Sequence, residues 1–161
     1  MKTLLLFHLI VAVAFTPQLL AQRGDSIHLP NVETIKFDPS RDPTKDVVGA
    51  VREAQRTTKR ILLDVGGEWC KWCHYLDQFF QRNKDVADFM NEKYVVVKVN
   101  FSKENENIEF LSHYPKIPGY PHFFVLDTDD KLIHSQDTGK LESGQGHDRD
   151  KVLAFLKKWA L

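Results

Sequence analysis

Short apolar runs alternate along this chain with longer stretches in which apolar residues recur at helical spacing. The runs Ile61–Val65, Tyr94–Val99 and Phe123–Leu126 are mostly apolar, which predicts three strands buried on both faces. A fourth strand is predicted to start at Leu132, and Thr34–Phe37 favours a short additional strand. These runs are sufficient to form one central sheet.

Helical spacing predicts most of the connections between the strands. Asp42–Pro43 is a favourable helix start, because Asp caps well and Pro suits the first helical position. This helix is expected to continue to about Thr58. Further helices are predicted from Cys70 to Phe80, over residues 86–91, from Ile108 to before Pro115, and over Val152–Trp159. This order of strands and helices indicates an α/β fold with a mixed sheet flanked by helices on both faces.

Residues 1–21 have the pattern of a signal peptide. A positive start is followed by an apolar run at Leu4–Phe15 and by a small residue, Ala21, at the expected cleavage site. The alternative is a membrane anchor, but the apolar run is only about a dozen residues long, whereas a membrane span needs about 20. We therefore expect an exported protein, periplasmic or secreted, with no stable membrane span after cleavage.

The rest of the chain is predicted to form an N-terminal arm, residues 22–41, and a single domain, residues 42–161. The 22 Lys and Arg residues are balanced by 22 Asp and Glu residues. No basic surplus is present of the kind that binds nucleic acid or anionic membranes. We therefore expect no nucleic-acid partner.

The chain contains two cysteines, Cys70 and Cys73, in a C-x-x-C arrangement. Such a pair can close a small disulfide ring and open it again, and it thereby carries two electrons. Because there is no third thiol, the two cysteines must act as a unit. In the oxidising compartment that export implies, a lone pair of this kind is more typical of redox chemistry than of inert thiols.

The position of the pair indicates which cysteine attacks. A strand that ends in Gly66–Gly67, followed by a helix that starts near Cys70, directs backbone N–H groups and the helix dipole at that sulfur. Cys70 is then expected to be the exposed nucleophile, with its thiolate further favoured by Lys71, and Cys73 the buried resolving thiol. Trp69 and Trp72 are expected to surround the pair with flat apolar surface for a substrate chain.

Two other chemistries fit the same residues. Cys70, Cys73 and His74 also satisfy C-x-x-C-H, the attachment signal for c-type haem, with His74 as ligand. Haem is disfavoured because cytochrome cores are mostly helical, whereas this chain has three strong apolar strands. The same three residues plus one more ligand could hold zinc or copper, but no second C-x-x-C or H-x-x-x-H occurs. We therefore expect no bound cofactor and no metal.

Several segments together resemble the thioredoxin family. They are Ile61–Asp64 with the two glycines and the C-x-x-C motif that follow, Val97–Asn100, and Ile117–Pro121 directly before an apolar strand. The similarity covers roughly residues 45–160, in the family's order and with similar spacing. Phe79 to Met90 resembles the exported, thioredoxin-like disulfide-interchange proteins, which have an extra helical segment at this point.

The resemblance implies a thioredoxin fold and roles for four more residues. Asp64 matches the buried carboxylate that takes the proton of the second cysteine, and Lys98 matches the lysine beside it. Pro121 matches a proline that faces the cysteines and is preceded by a cis peptide bond, and Tyr120 would expose its backbone to a substrate chain. Asp64 as an ordinary strand-end residue and Lys98 as a solvated one remain open alternatives.

The expected function is that of an exported thiol:disulfide oxidoreductase. It would exchange its Cys70–Cys73 pair with cysteine-containing protein substrates and be recycled by a redox partner, in solution or in the membrane. The alternative is a module of the same fold that only binds partners or relays electrons to one dedicated protein. Lys71-Trp72 departs from the residues found between the cysteines in well-known family members, so the direction of electron flow stays open.

Overall fold

A computed structural model describes residues 35–161. In that range the helices are α1 (Pro43–Thr57), α2 (Lys71–Arg82), α3 (Lys84–Lys93), the single turn α4 (Ile108–Leu111) and α5 (Arg149–Trp159). The strands are β1 (Arg60–Gly66), β2 (Tyr94–Asn100), β3 (His122–Leu126), β4 (Leu132–Asp137), β5 (Glu142–Ser143) and β6 (Gly146–His147). The predicted signal peptide and the first part of the arm lie outside the described residues.

The main sheet has four strands in the order β2-β1-β3-β4. Strand β1 pairs in parallel with β2 and antiparallel with β3, and β3 pairs antiparallel with β4. Strands β5 and β6 form a separate two-stranded hairpin. The predicted α/β fold with a mixed sheet is confirmed.

Helices cover both faces of the sheet because side chains alternate along each strand. Leu62 and Val96 pack with α2, α3 and α5 in one buried cluster. Leu63 and Val97 pack with α1 in a second cluster on the opposite face. Asp64 is in phase with Leu62, so its side chain faces α2.

The start of α1 follows the sequence prediction. Asp42 caps the helix by accepting hydrogen bonds from the backbone N–H groups of Thr44 and Lys45, and Pro43 occupies the first turn. The helix ends at Thr57, and Thr58 follows in a left-handed conformation. The predicted helix start at Asp42–Pro43 is confirmed.

The strand predicted at Thr34–Phe37 is wrong for the residues that the structure describes. Ile35–Phe37 have no regular secondary structure. The backbone N–H of Phe37 donates to Oε1 of Glu68 at 3.0 Å, and therefore bonds to a side chain instead of a neighbouring strand.

Within residues 35–161, none of the helices has the length and the apolar composition that a membrane span requires.

Candidate active site

Cys70 and Cys73 form a disulfide at the start of α2, with their Cα atoms 5.2 Å apart. Strand β1 ends at Gly66, and a short turn closes when the N–H of Cys70 donates to the carbonyl of Gly67 at 3.0 Å. The disulfide therefore lies where a central strand passes into a helix.

Cys70 is the N-cap residue of α2. Its Sγ accepts a hydrogen bond from the backbone N–H of Cys73 at 3.1 Å. Free N–H groups and the helix dipole at this end stabilise negative charge, so an opened disulfide would leave Cys70 favoured as the thiolate. The predicted attacking sulfur is thus in the environment that its chemistry requires.

Both cysteines are buried, and the expectation that Cys70 is exposed is wrong for this disulfide form. Cys70 is 4% exposed and Cys73 is 2% exposed. They form a cluster with the buried ring of Phe37, against which Trp72 and Tyr120 also pack. The cover combines Trp72, which the sequence predicts beside the pair, with Phe37 and Tyr120 from two remote segments, which the sequence around the cysteines does not indicate.

Behind the disulfide, the buried Asp64 and Lys98 and the half-buried Asp77 form a group that we call the charge cluster. Asp64 and Lys98 are paired in register on β1 and β2, so their side chains share one face. Lys98 Nζ lies 3.6 Å from Asp64 Oδ2 and donates to Asp77 Oδ1 at 2.5 Å. Asp77 is four residues after Cys73 and therefore lies one turn further along the same face of α2.

Burial raises the pKa of Asp64 from 3.8 to about 6. Lys98 opposes this shift, whereas the negative charge of Asp77 adds to it. Asp64 Oδ1 is buried and has no hydrogen-bond partner among residues 35–161, which further disfavours a permanent charge. A carboxyl group with such a pKa can accept and release a proton near neutral pH.

Aromatic side chains form the surface beside the disulfide. Trp69 is 59% exposed, and its ring meets that of Tyr120 edge-on, with centroids 5.7 Å apart. Tyr120 also stacks on Phe101 at 4.9 Å, and the indole N–H of Trp69 donates to the carbonyl of Phe101 at 2.6 Å. Trp72 belongs to the first turn of α2, and its ring meets that of Tyr75 edge-on, with the ring centroids 5.4 Å apart.

The Tyr120–Pro121 peptide bond is cis, as the family resemblance implied. Pro121 is buried directly before β3, and its carbonyl accepts a hydrogen bond from the hydroxyl of Thr138. Tyr120 contacts the cluster that contains the two cysteines. The predicted site residues on β1, α2 and the Pro121 loop are thus brought together at one end of the sheet.

His74 and Lys71 are the charged or titratable residues next to the two cysteines in sequence. In the sequence, His74 is the candidate ligand for haem or a metal, and Lys71 is expected to favour the Cys70 thiolate. His74 Nε2 lies 2.7 Å from the carbonyl oxygen of Glu68, so its ring flanks the start of α2. Lys71 is exposed, and its Nζ lies 5.3 Å from the ring centroid of Tyr75. Over residues 35–161, no three His, Cys, Asp or Glu side chains come close enough together to hold a metal ion.

Sequence reasoning missed two residues of the site. Asp77 could have been found, because its spacing from Cys73 places both on one helix face. Phe37 carries no such signal, since it lies 33 positions before Cys70 in a segment without regular structure. The sequence pattern predicts Phe37 only as part of the N-terminal arm, on a short strand.

A family model described as thioredoxin-like matches residues 42–128, which is more than half of the chain. Among solved structures, the disulphide isomerase of Xylella fastidiosa Temecula1 has a TM-score of 0.65 and 26% sequence identity. That similarity covers 76% of this chain and 94% of the other. The oxidised C-terminal domain of Neisseria meningitidis DsbD has a TM-score of 0.56, 16% identity, and coverage of 78% and 99%, which supports the fold alone.

One similarity to a curated protein is short. Spermatogenesis-associated protein 20 of Rattus norvegicus is 33% identical over 51 residues, which are 32% of this chain. The match spans only 6% of the length of that protein.

Proposed function

The chain belongs to the thioredoxin-like family, and we propose that it is an exported thiol:disulfide oxidoreductase acting on cysteines of other proteins. The observation that carries the proposal is the Cys70–Cys73 disulfide at the N-terminus of α2, next to a buried carboxyl group with a raised pKa. The similarity to a protein described as a disulphide isomerase supports the same chemistry.

In the reducing direction, the Cys70 thiolate attacks one sulfur of a substrate disulfide. An S–S bond forms between Cys70 and the substrate, and the other substrate sulfur leaves as a thiolate and takes a proton. Cys73 then transfers its proton to Asp64 and attacks Cys70 Sγ. The second substrate sulfur leaves Cys70 as a thiolate and takes a proton, and the Cys70–Cys73 disulfide forms, so two electrons have passed to the substrate.

In the oxidising direction, the same steps run backwards from the disulfide form. A substrate thiolate attacks Cys70 Sγ, and Cys73 leaves as the thiol with the proton that Asp64 returns. A second substrate thiolate then attacks the substrate sulfur of the mixed disulfide, so the substrate disulfide forms and Cys70 leaves as a thiolate. The buried carboxyl group serves both directions, because a pKa of about 6 allows it to exchange protons near neutral pH.

Substrate binding is assigned to the aromatic surface around the disulfide. Trp69 offers a large exposed apolar face, and the loop at Tyr120 lies beside it. An extended substrate segment can pair its backbone with that of Tyr120, as a peptide does when it adds to a sheet edge, while its side chains contact Trp69 and Trp72. This arrangement fits protein substrates with little sequence preference.

Export is supported by the sequence of residues 1–21 and by the isolated C-x-x-C pair. A redox-active pair in an oxidising compartment needs a partner that resets it after each exchange. We therefore propose that a recycling protein is one of its partners. Nothing in the balanced charge favours nucleic acid.

A second candidate function is a relay module that exchanges electrons with one dedicated protein. The burial of Cys70, at 4% exposure, favours it, because a matched partner could displace the aromatic cover where a general substrate would not. Both functions use the same sulfur chemistry, and they differ in the range of proteins that react.

Insulin reduction in the presence of dithiothreitol tests the proposal. The wild-type protein is expected to accelerate insulin precipitation, and Cys70→Ser to remain at the background rate. In a separate incubation of reduced Cys73→Ser with insulin, after the dithiothreitol has been removed, Cys70 is expected to retain an insulin chain through a disulfide. Mass spectrometry under non-reducing conditions detects that adduct. Full activity of Cys70→Ser together with no adduct on Cys73→Ser contradicts the mechanism, and a background rate for the wild-type protein favours the relay module.

A further inference from the structure

Phe37 belongs to the segment before α1, yet its ring is part of the cysteine cluster. The residue is 4% exposed and packs with Cys70 and Cys73. None of the motifs that carry the exchange chemistry includes it.

The ring fills the space in front of Gly66. A Cβ atom added to Gly66 would lie 2.5 Å from Cys73 Sγ and 2.9 Å from Cζ of Phe37. Both distances are too short for real contacts, so only glycine lets the sulfur and the ring approach the strand this closely. Gly66 is in phase with Asp64 on β1, and the ring thus covers the face that carries the carboxyl group.

The ring also covers the charge cluster. Lys98 Nζ lies 4.3 Å from the centroid of the Phe37 ring, within the range of a cation–π contact. The Lys98 side chain is 0% exposed although it carries an ammonium group. One ring therefore extends from the resolving sulfur to the lysine that pairs with Asp64.

Two hydrogen bonds hold the segment in place. The N–H of Phe37 donates to Oε1 of Glu68 at 3.0 Å, and the side chain of Asn105 donates to the carbonyl of Pro39 at 2.9 Å. Glu68 directly precedes Trp69 and the cysteines. The segment is thereby tied to the loop that carries the disulfide.

We propose that Phe37 is a positioning residue for the exchange reaction, whose ring keeps water away from Cys73 Sγ and from the charge cluster. The proposal rests on the proposed function, since it assigns Phe37 to the same site. It makes the segment before α1 part of the active site.

The expected consequence concerns the proton acceptor. The charged groups that act on Asp64 are Lys98 from β2 and Asp77 from α2, and the apolar Phe123 is its register partner on β3. Burial is the largest cause of the raised pKa of Asp64, so admitting water favours the charged carboxylate and lowers that pKa toward 3.8. The charges on Lys98 and Asp77 stay in place.

The test compares Phe37→Ala and Phe37→Leu with Ile35→Ala in the full chain. Ile35 is a matched control, because it is a partly buried apolar residue of the same segment that packs on a different cluster. The pKa of Asp64 is measured from the pH dependence of its carboxyl carbon resonance. The rate of Cys73 alkylation by iodoacetamide is measured in the same variants combined with Cys70→Ser.

For Phe37→Ala we expect the pKa of Asp64 to fall by about one unit or more, a tenfold change in proton affinity. Alkylation of Cys73 should become several-fold faster. Phe37→Leu keeps an apolar cover without a ring and should show smaller shifts in the same directions, and Ile35→Ala should match the wild type. Far-UV circular dichroism identifies any variant that does not fold, and Phe37→Leu then carries the test.

The proposal is overturned if the folded Phe37 variants keep the wild-type pKa of Asp64 and the wild-type alkylation rate, or if Ile35→Ala shifts both equally. Neither readout depends on turnover. Loss of the proposed function would appear separately, as a wild-type protein that does not reduce insulin while Phe37→Ala still shifts the pKa of Asp64.

Discussion

Asp64 is the residue at which stability and chemistry conflict. The residue is 3% exposed, and its Oδ1 has no hydrogen-bond partner among the described residues. Burial raises the pKa of its carboxyl group to about 6. A raised pKa means that the folded state holds the proton more tightly than the unfolded chain does. Ionisation of Asp64 at neutral pH therefore destabilises the fold, and this loss of stability is the cost of the proton acceptor that we propose at this site.

Asp64→Asn is expected to raise the free energy of unfolding at pH 7. The shift from 3.8 to about 6 corresponds to at most about 3 kcal/mol. Between these two pH values the unfolded wild-type chain has lost the proton of Asp64, whereas the folded protein keeps it. The contribution of Asp64 to the free energy of unfolding therefore falls as the pH rises. The advantage of the variant should thus be small below about pH 4 and complete above about pH 6, as measured by urea unfolding.

Asp77→Asn makes the same chemical change on the other side of Lys98 and serves as the control. Asp77 accepts the short bond from Lys98, whose side chain has no exposure, so its removal should destabilise the fold by about 1–3 kcal/mol. A destabilised Asp64→Asn variant, or a stability difference that does not change with pH, contradicts the account of the charge cluster.

Motif residues could be predicted one by one, whereas residues recruited from other segments could not. Cys70, Cys73 and Asp64 lie within a short stretch whose pattern reflects its chemistry. Phe37 has to be apolar and about the size of a ring to fill its place, but that requirement comes from Gly66 and Lys98, which are remote in sequence. The burial of Cys70 was missed for the same reason.

Among the elements, the β5–β6 hairpin contacts the active-site helix in a way that no pattern indicated. His147 on β6 lies between rings of α2, 6.0 Å from that of Trp72 and 6.1 Å from that of Phe79. Neither ring nitrogen has a hydrogen-bond partner among residues 35–161. Burial lowers the pKa of His147 to about 4, so the ring is neutral at pH 7.

His147→Leu is expected to stabilise the protein, and more so in acid. Because the pKa of His147 is lowered from 6.5 to about 4, the unfolded chain gains a proton below about pH 6.5 that the folded protein does not. The contribution of His147 to the free energy of unfolding of the wild type is therefore lost as the pH falls from about 6.5 to about 4. Allowing for the partial exposure of the ring, we expect a gain of about 1–2 kcal/mol at pH 5, measured by urea unfolding.

His147→Gln provides the comparison, since it removes the titration but keeps a polar group against the two rings. It should lessen the acid sensitivity without the gain at pH 7. Equal acid sensitivity in the wild type and in both variants is incompatible with a buried neutral His147.

The long elements were predictable because each buries a continuous apolar run or stripe. Strands β1, β2 and β3 are buried along almost their whole length, and their sequences are correspondingly apolar. The strands of the β5–β6 hairpin are two residues long, which is too short for any alternation to show. The hairpin is held by α2, so only the tertiary structure reveals it.

At the scale of the whole molecule, the fold brings three remote segments to the end of the central strand. The start of α2, directly after the turn that follows β1, carries the cysteines. The loop before β3 carries Tyr120, and the segment before α1 carries Phe37. The family resemblance anticipated the first two and the cis peptide bond. The third follows from packing alone, and it completes the cover over the disulfide.

The reduction potential of the Cys70–Cys73 pair tests most directly whether this disulfide exchanges electrons or only cross-links the fold. The protein is equilibrated in thiol–disulfide buffers of graded potential, and its oxidised fraction is followed through the fluorescence of the adjacent Trp69 and Trp72. We predict one two-electron transition, tenfold per about 30 mV, with a midpoint between about −270 and −120 mV. A pair that stays oxidised below about −300 mV, as structural disulfides do, would contradict the account.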